Sequence, residues 1–185
     1  MAALALQEID RFTLKKRPSW FLWGMVMFIA GMIFLLFAIE DFTGIGSGEI
    51  GLTKSWLVLL ICLPIIIVAH EALHGIVFKM FGGKVKFGVK RTKIGPVAFT
   101  SSPDPYSKRQ FQIAALAPQV LTVAAFIAMP LVSSPVVAYA LMITAVGNLG
   151  GGCMDIFMLI WLRKFPQEVI IKDAGDGISI LKEEV

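Results

Sequence analysis

The stretch IIIVAHEALHGIVF, residues 65–78, sets two histidines and a glutamate inside a run that otherwise reads as a membrane helix. Ionisable side chains are costly in hydrocarbon. Where they occur they usually meet a partner, a metal ion or a wet cavity. His70, Glu71 and His74 spell H-E-x-x-H. On a helix, positions i and i+4 share one face. Both imidazoles can then reach one metal ion, with Glu71 beside them to handle a proton. They are the only two histidines of the chain. The plainer alternative is a pair of histidines hydrogen-bonded to neighbouring helices, with Glu71 protonated.

The composition surrounding this stretch points to a bilayer. The chain has 185 residues, 57% hydrophobic and 16% charged, with a mean hydropathy of +0.79. A soluble domain is about 45–50% apolar and about 25% charged. Four apolar runs stand out, at about 20–39, 56–81, 111–132 and 136–162. Each exceeds the roughly 20 residues needed to cross about 30 Å of hydrocarbon. The first is too long for a signal-peptide core and is read as a retained anchor. Cys62 and Cys153 both lie in apolar runs and read as small buried hydrophobes.

Charge sets an orientation. Lys15, Lys16 and Arg17 precede the first run, and Glu40 and Asp41 follow it. Lys84, Lys86, Lys90, Arg91, Lys93, Lys108 and Arg109 lie between the second and third, while Arg163 and Lys164 follow the fourth. The positive-inside rule then places the N-terminus, the 82–110 loop and the 163–185 tail in the cytoplasm. The expected fold is an all-α polytopic membrane protein, one integral membrane domain over 1–185. It has four transmembrane helices, a small cytoplasmic β-hairpin insertion and a short cytoplasmic tail. The hairpin comes from KVKFGVKRTKIGPVAFTSS, where Val85, Phe87 and Val89 alternate with lysines and Gly95-Pro96 suggests a turn. A basic loop lying on anionic headgroups is the competing reading. The tail EVIIKDAGDGISILKE reads as strand, turn, strand. Asp173 and Asp176 there are too few ligands for calcium.

A catalytic zinc site usually has three protein ligands and an open position. Asp155, in GNLGGGCMDIF, is the only acidic residue in the apolar part of the first, third and fourth runs. Counted from Lys79 and Arg163, His70, His74 and Asp155 lie at depths of roughly 13, 8 and 12 Å at 1.5 Å per residue. All three therefore fall in one layer. A carboxylate paired with an interfacial lysine or arginine is the alternative for Asp155. Asn148 stands about two turns before Asp155, on nearly the same face. It suits either a hydrogen bond to a substrate carbonyl or one between helices. Gly150, Gly151 and Gly152 weaken the helix and admit a close neighbour. Cys153 should face away from Asp155. Pro64 and Pro118 each remove a backbone hydrogen bond inside an apolar run.

HEALHG in a membrane run, a basic strand-like loop, YSKRQFQIAALAP opening the next run and GNLGGGCMD in the last resemble a family of zincin membrane peptidases. That family is similar in plan to the site-2 intramembrane zinc metalloproteases. The resemblance covers about Ser55 to Leu162. It implies His70, His74 and Asp155 as ligands of one zinc ion, Glu71 as catalytic base and Asn148 as a substrate-holding residue. It also implies that the strands at 84–99 offer an edge to an extended peptide. The site-2 pattern N-x-x-P-x-x-x-x-D-G is not fully kept. The chain lacks that proline and the glycine after Asp155, and is one residue shorter between Asn148 and Asp155.

The function expected is a zinc-dependent intramembrane endopeptidase of a prokaryotic cytoplasmic membrane, cutting a membrane protein or peptide near the cytoplasmic face. Its partners are that substrate and the bilayer, with no nucleic acid. The alternative is a non-catalytic metal-binding membrane scaffold or sensor. A metal transporter is disfavoured, because no ionisable residue lines the outer halves of the runs.

Overall fold

The computed structural model describes residues 6–13, scattered positions between 19 and 33, then 51–92, 95–173 and 177–183. Most of the expected first span, 20–39, lies outside the described residues. The chain divides into two compact units, and one long helix, α1 (Leu52–Met80), contributes to both.

The first unit carries the strands. β1 (Leu6–Thr13), β4 (Tyr106–Ser107), β5 (Ile170–Asp173) and β6 (Gly177–Glu183) form an antiparallel sheet in the order β1-β6-β5-β4. β2 (Lys86–Thr92) and β3 (Gly95–Ser101) form a separate two-stranded sheet. Helices α2 (Lys108–Leu116) and α5 (Cys153–Leu162) and the end of α1 supply its remaining apolar surface. Phe12 stacks on Trp161 at 5.2 Å between centroids, and Phe78 meets Tyr106 at 4.8 Å. The start of α2 is fixed locally by a capping box. Ser107 Oγ accepts from Gln110 N–H, and the Gln110 side chain accepts from Ser107 N–H. Lys108 is buried, and its ammonium donates to the Phe165 carbonyl at 2.6 Å, tying α2 to the segment after α5.

The second unit holds the beginning of α1, α3 (Gln119–Ala128), a 3₁₀ turn (Met129–Leu131) and α4 (Pro135–Gly151). Ile66, Met129, Tyr139, Met142, Ile143 and Val146 make its core. Among the described residues two helical stretches are long and apolar enough to cross a membrane, Thr53–Met80 with 28 residues and Lys108–Leu131 with 24. α4 and α5 add a third if that bent pair counts as one span. Only 11% of the apolar window in Thr53–Met80 is buried. Trp56, Leu60, Ile61, Ile65 and Val68 are instead exposed, as an apolar solvent would favour.

The all-α, four-span expectation is therefore corrected. The described residues form six strands in two sheets, with two or three candidate spans. The reasons are physical. β1 reads LQEIDRFT, and most of it is exposed, with burial confined to Phe12 and Thr13. Its order comes from pairing with β6 across almost the whole chain, Leu6 against Glu183 and Phe12 against Ile178. No local periodicity reports such a pairing. The tail forms the two strands expected, but they are the middle of a sheet. The two strands of the hairpin are present too, but Gly95 and Pro96 are not its turn. Gly95 and Pro96 open β3, opposite Thr92 and Arg91, and proline is tolerated at the start of a strand. The third run breaks at Pro118 and the fourth at Gly152.

Phe12 ties the N-terminal strand to the aromatic core. Phe12→Ala should destabilise the protein by about 3 kcal/mol, read as a lower unfolding temperature in detergent. An unchanged transition would mean that β1 contributes nothing to the core.

Candidate metal centre

α1 runs unbroken through Pro64, so His70 and His74 stand one turn apart on one face. Both are buried, at 8% and 9% exposure. Glu71, the next residue, is half-buried, and its backbone carbonyl accepts from Thr100 Oγ1 of β3 at 2.8 Å. Gly75 lets the hairpin lie against the helix one residue past His74. A Cβ there would collide with the Phe87 ring and come within 3.2 Å of Val85.

The imidazole hydrogens are fixed by groups that can only accept. His74 Nδ1 lies 2.8 Å from the carbonyl of Ala114, so this nitrogen donates. That carbonyl also accepts from Ala117 N–H at 3.3 Å, while Pro118, four residues on, has no N–H to give it. His70 Nδ1 lies 2.9 Å from Asn148 Oδ1. Asn148 Nδ2 faces the Pro118 carbonyl at 2.7 Å, which fixes the amide as nitrogen on that side and oxygen towards His70. His70 Nδ1 therefore donates as well. In the neutral form each ring is then left with Nε2 as its lone-pair nitrogen.

Asp155 comes from the first turn of α5, and its Oδ2 is 3.3 Å from His74 Nε2. Nε2 and the carboxylate oxygen repel at that distance unless a proton or a metal cation lies between them. One ligand atom from each of His70, His74 and Asp155 falls within 4.8 Å of the others. Tetrahedral zinc, with bonds of about 2.0–2.1 Å, places its ligands roughly 3.3 Å apart. The donor set of two imidazoles, one carboxylate and buried surroundings thus fits zinc. The hydrogen bonds at Nδ1 are the outer-shell contacts that orient such ligands.

The sequence-selected residues divide as follows. His70, His74 and Asp155 are brought together, and Glu71 adjoins them on α1. Asn148 is buried with both amide hydrogens engaged, one by Pro118 and one by Thr122 Oγ1 at 2.8 Å, and its oxygen on His70. Of Gly151 and Gly152, the second is crowded. A Cβ on it would collide with the Gln119 amide nitrogen and reach 3.3 Å from His70 Cε1, whereas one on Gly151 would meet open space. Among the described residues neither cysteine joins the ligand group. Sequence reasoning missed Gln119, Thr122 and the Ala114 carbonyl. The first two are polar residues directly after Pro118 in an apolar run, and that was the available signal.

Residues 63–170 match the family model described as "Putative zincin peptidase". The chain belongs to this family. The zincin match takes in both histidines, Glu71, Asn148 and Asp155, and points to a metallopeptidase. A curated relative, an uncharacterized 24.7 kDa protein of Pyrococcus woesei, is 26% identical over 119 residues, or 63% of this chain. The match spans about half the length of that relative, 51%. No solved structure matches the chain.

Asn148→Leu removes the acceptor that orients His70. Zinc affinity should fall about 10–100-fold, measured by competition with a chromogenic chelator. Wild-type affinity in that variant would contradict the orienting role.

Proposed function

We propose that this zincin-family protein is a zinc-dependent intramembrane endopeptidase, cutting membrane-associated polypeptides near the cytoplasmic face. One observation carries the proposal. Two buried imidazoles on an apolar helix have Nδ1 tied to acceptors, and His74 Nε2 faces a carboxylate oxygen. His70, His74 and Asp155 would hold the ion. Zinc there would supply Lewis acidity, polarising the scissile carbonyl and lowering the pKa of a water to about 7.

The chain's own residues account for the rest. Glu71 takes a proton from the attacking water as its oxygen bonds to the carbonyl carbon. It passes that proton to the amine as the C–N bond breaks. Asn148 keeps the His70 ring turned. The Thr100 hydrogen bond anchors the backbone of Glu71 to the hairpin. A helical substrate hides its peptide bonds, so it must be held extended. Among the described residues β2 and β3 pair only with each other, which offers each an outer edge for an added strand. Phe87 and Val89 are exposed there, suited to a membrane surface. The lysines and arginines flanking the apolar runs support cytoplasmic termini. Likeness in plan to site-2 proteases belongs to the same proposal.

Glu71→Gln should retain zinc and lose about 10²–10⁴-fold in cleavage of a transmembrane model peptide in liposomes. Full cleavage with zinc still bound would remove Glu71 as the base. Silence of this substitution in cells would favour the scaffold alternative.

A further inference from the structure

Between Glu71 and Asp104 the chain carries Lys79, Lys84, Lys86, Lys90, Arg91 and Lys93 and no acidic residue. This basic segment begins in the last turn of α1, a candidate span, and runs through the hairpin. Clusters of about four to eight cations beside a membrane helix attract anionic lipid. The hairpin gives part of this charge a fixed arrangement. Alternate side chains of a strand share a face. Lys86, Gly88 and Lys90 share one face of β2, and the register sets Ser101, Phe99 and Val97 of β3 opposite them. A Cβ on Gly88 would strike the Phe99 ring, so that ring lies over Gly88, between the two lysines. The other face of the hairpin is the one turned to α1. There the Phe87 ring reaches Gly75, and Thr100, opposite Phe87, bonds to the Glu71 carbonyl. The lysine face therefore points away from α1. Lys86 and Lys90 are exposed on it, with Val97 at 43% and Phe99 at 39% exposure.

We infer that this face of the β2–β3 hairpin docks on anionic phospholipid headgroups. Two properties of the face call for a lipid surface at once. Phe99 and Val97 are apolar side chains held out from the protein, and the boundary between headgroups and acyl chains removes such groups from water. The lysines beside them bury their stems along the same apolar ground and keep their ammonium groups at the level of the phosphates. Lys86 and Lys90 stand about 13 Å apart along β2, so each meets its own phosphate. Charge complementarity selects anionic over zwitterionic lipid, since no carboxylate lies in the hairpin to neutralise the cations from within. The docking uses a face and leaves both outer edges of the hairpin open. It therefore holds whether or not the chain cuts peptides. It also gives the hairpin, tied to α1 at Gly75 and Glu71, a second attachment on the membrane surface.

The test follows amide hydrogen exchange of residues 86–101 in the full-length protein in detergent. Short-chain phosphatidylglycerol is titrated in, and short-chain phosphatidylcholine in parallel. Two double variants are compared with wild type: Lys86→Gln with Lys90→Gln, and Lys86→Arg with Lys90→Arg. Both lysines are exposed, so neither exchange disturbs the core. Phosphatidylglycerol should slow exchange of the hairpin in wild type, and phosphatidylcholine should not. Near an anionic surface each lysine is worth about a factor of five in affinity. The phosphatidylglycerol concentration for half-protection should thus rise roughly 25-fold in the glutamine variant and stay near wild type in the arginine variant. High salt should weaken protection in wild type. Equal protection by the two lipids, or none by either, would overturn the inference. So would a glutamine variant protected at the wild-type concentration. Equal protection by inorganic phosphate would make the face a general anion site, and protection by an acidic peptide but not by phosphatidylglycerol would make it a polypeptide site. Either result would also overturn it.

Discussion

The hydrogen bonds from His74 Nδ1 to the Ala114 carbonyl and from His70 Nδ1 to the Asn148 amide decide what the centre can be. They fix Nδ1 as the donor of each ring and leave Nε2 of each, when neutral, as the lone-pair nitrogen. Both depend on Pro118. It has no N–H to give the Ala114 carbonyl, which takes Ala117 N–H and His74 instead, and its own carbonyl holds the Asn148 amide. A proline inside an apolar helix is often only a kink. Here it supplies the two backbone acceptors that a metal site needs one layer out from its ligands.

The same break explains how polar groups are tolerated inside apolar segments. Asn148, Thr122, Gln119 and the Pro118 carbonyl satisfy one another in a short network, and His70 is one end of it. In hydrocarbon an unsatisfied polar group costs several kcal/mol. Among the described residues two buried side-chain donors are left without an acceptor, Gln119 Nε2 in this network and Trp161 Nε1 outside it. In the other unit, Gly75 brings the β2 strand against α1 just past His74, and Thr100 ties β3 to Glu71.

What could be read from the sequence was what depends on short spacing. H-E-x-x-H needs only helical geometry. Asp155 followed from counting residues to the flanking basic residues, and the structure sets its carboxylate 3.3 Å from His74 Nε2. The tail strands carried a local alternation and are present as β5 and β6. What depends on long-range pairing was not legible. β1 looks like a charged N-terminal leader, because only Phe12 and Thr13 are buried and its partner strand is at the other end of the chain. The apolar runs gave length but not continuity: the third is interrupted at Pro118 although Lys108–Leu131 remains one candidate span, and the fourth is bent at Gly152. Gln119 escaped notice because a lone glutamine has no motif. Its part in the network around Asn148 comes from packing.

The central claim is that His70, His74 and Asp155 hold one metal ion in common. The most direct test is zinc per chain in protein purified in detergent without chelators, beside the Asp155→Ala variant. About one zinc in the wild type and much less in the variant is expected. A wild type without zinc, or a variant that keeps its full complement, would contradict the claim.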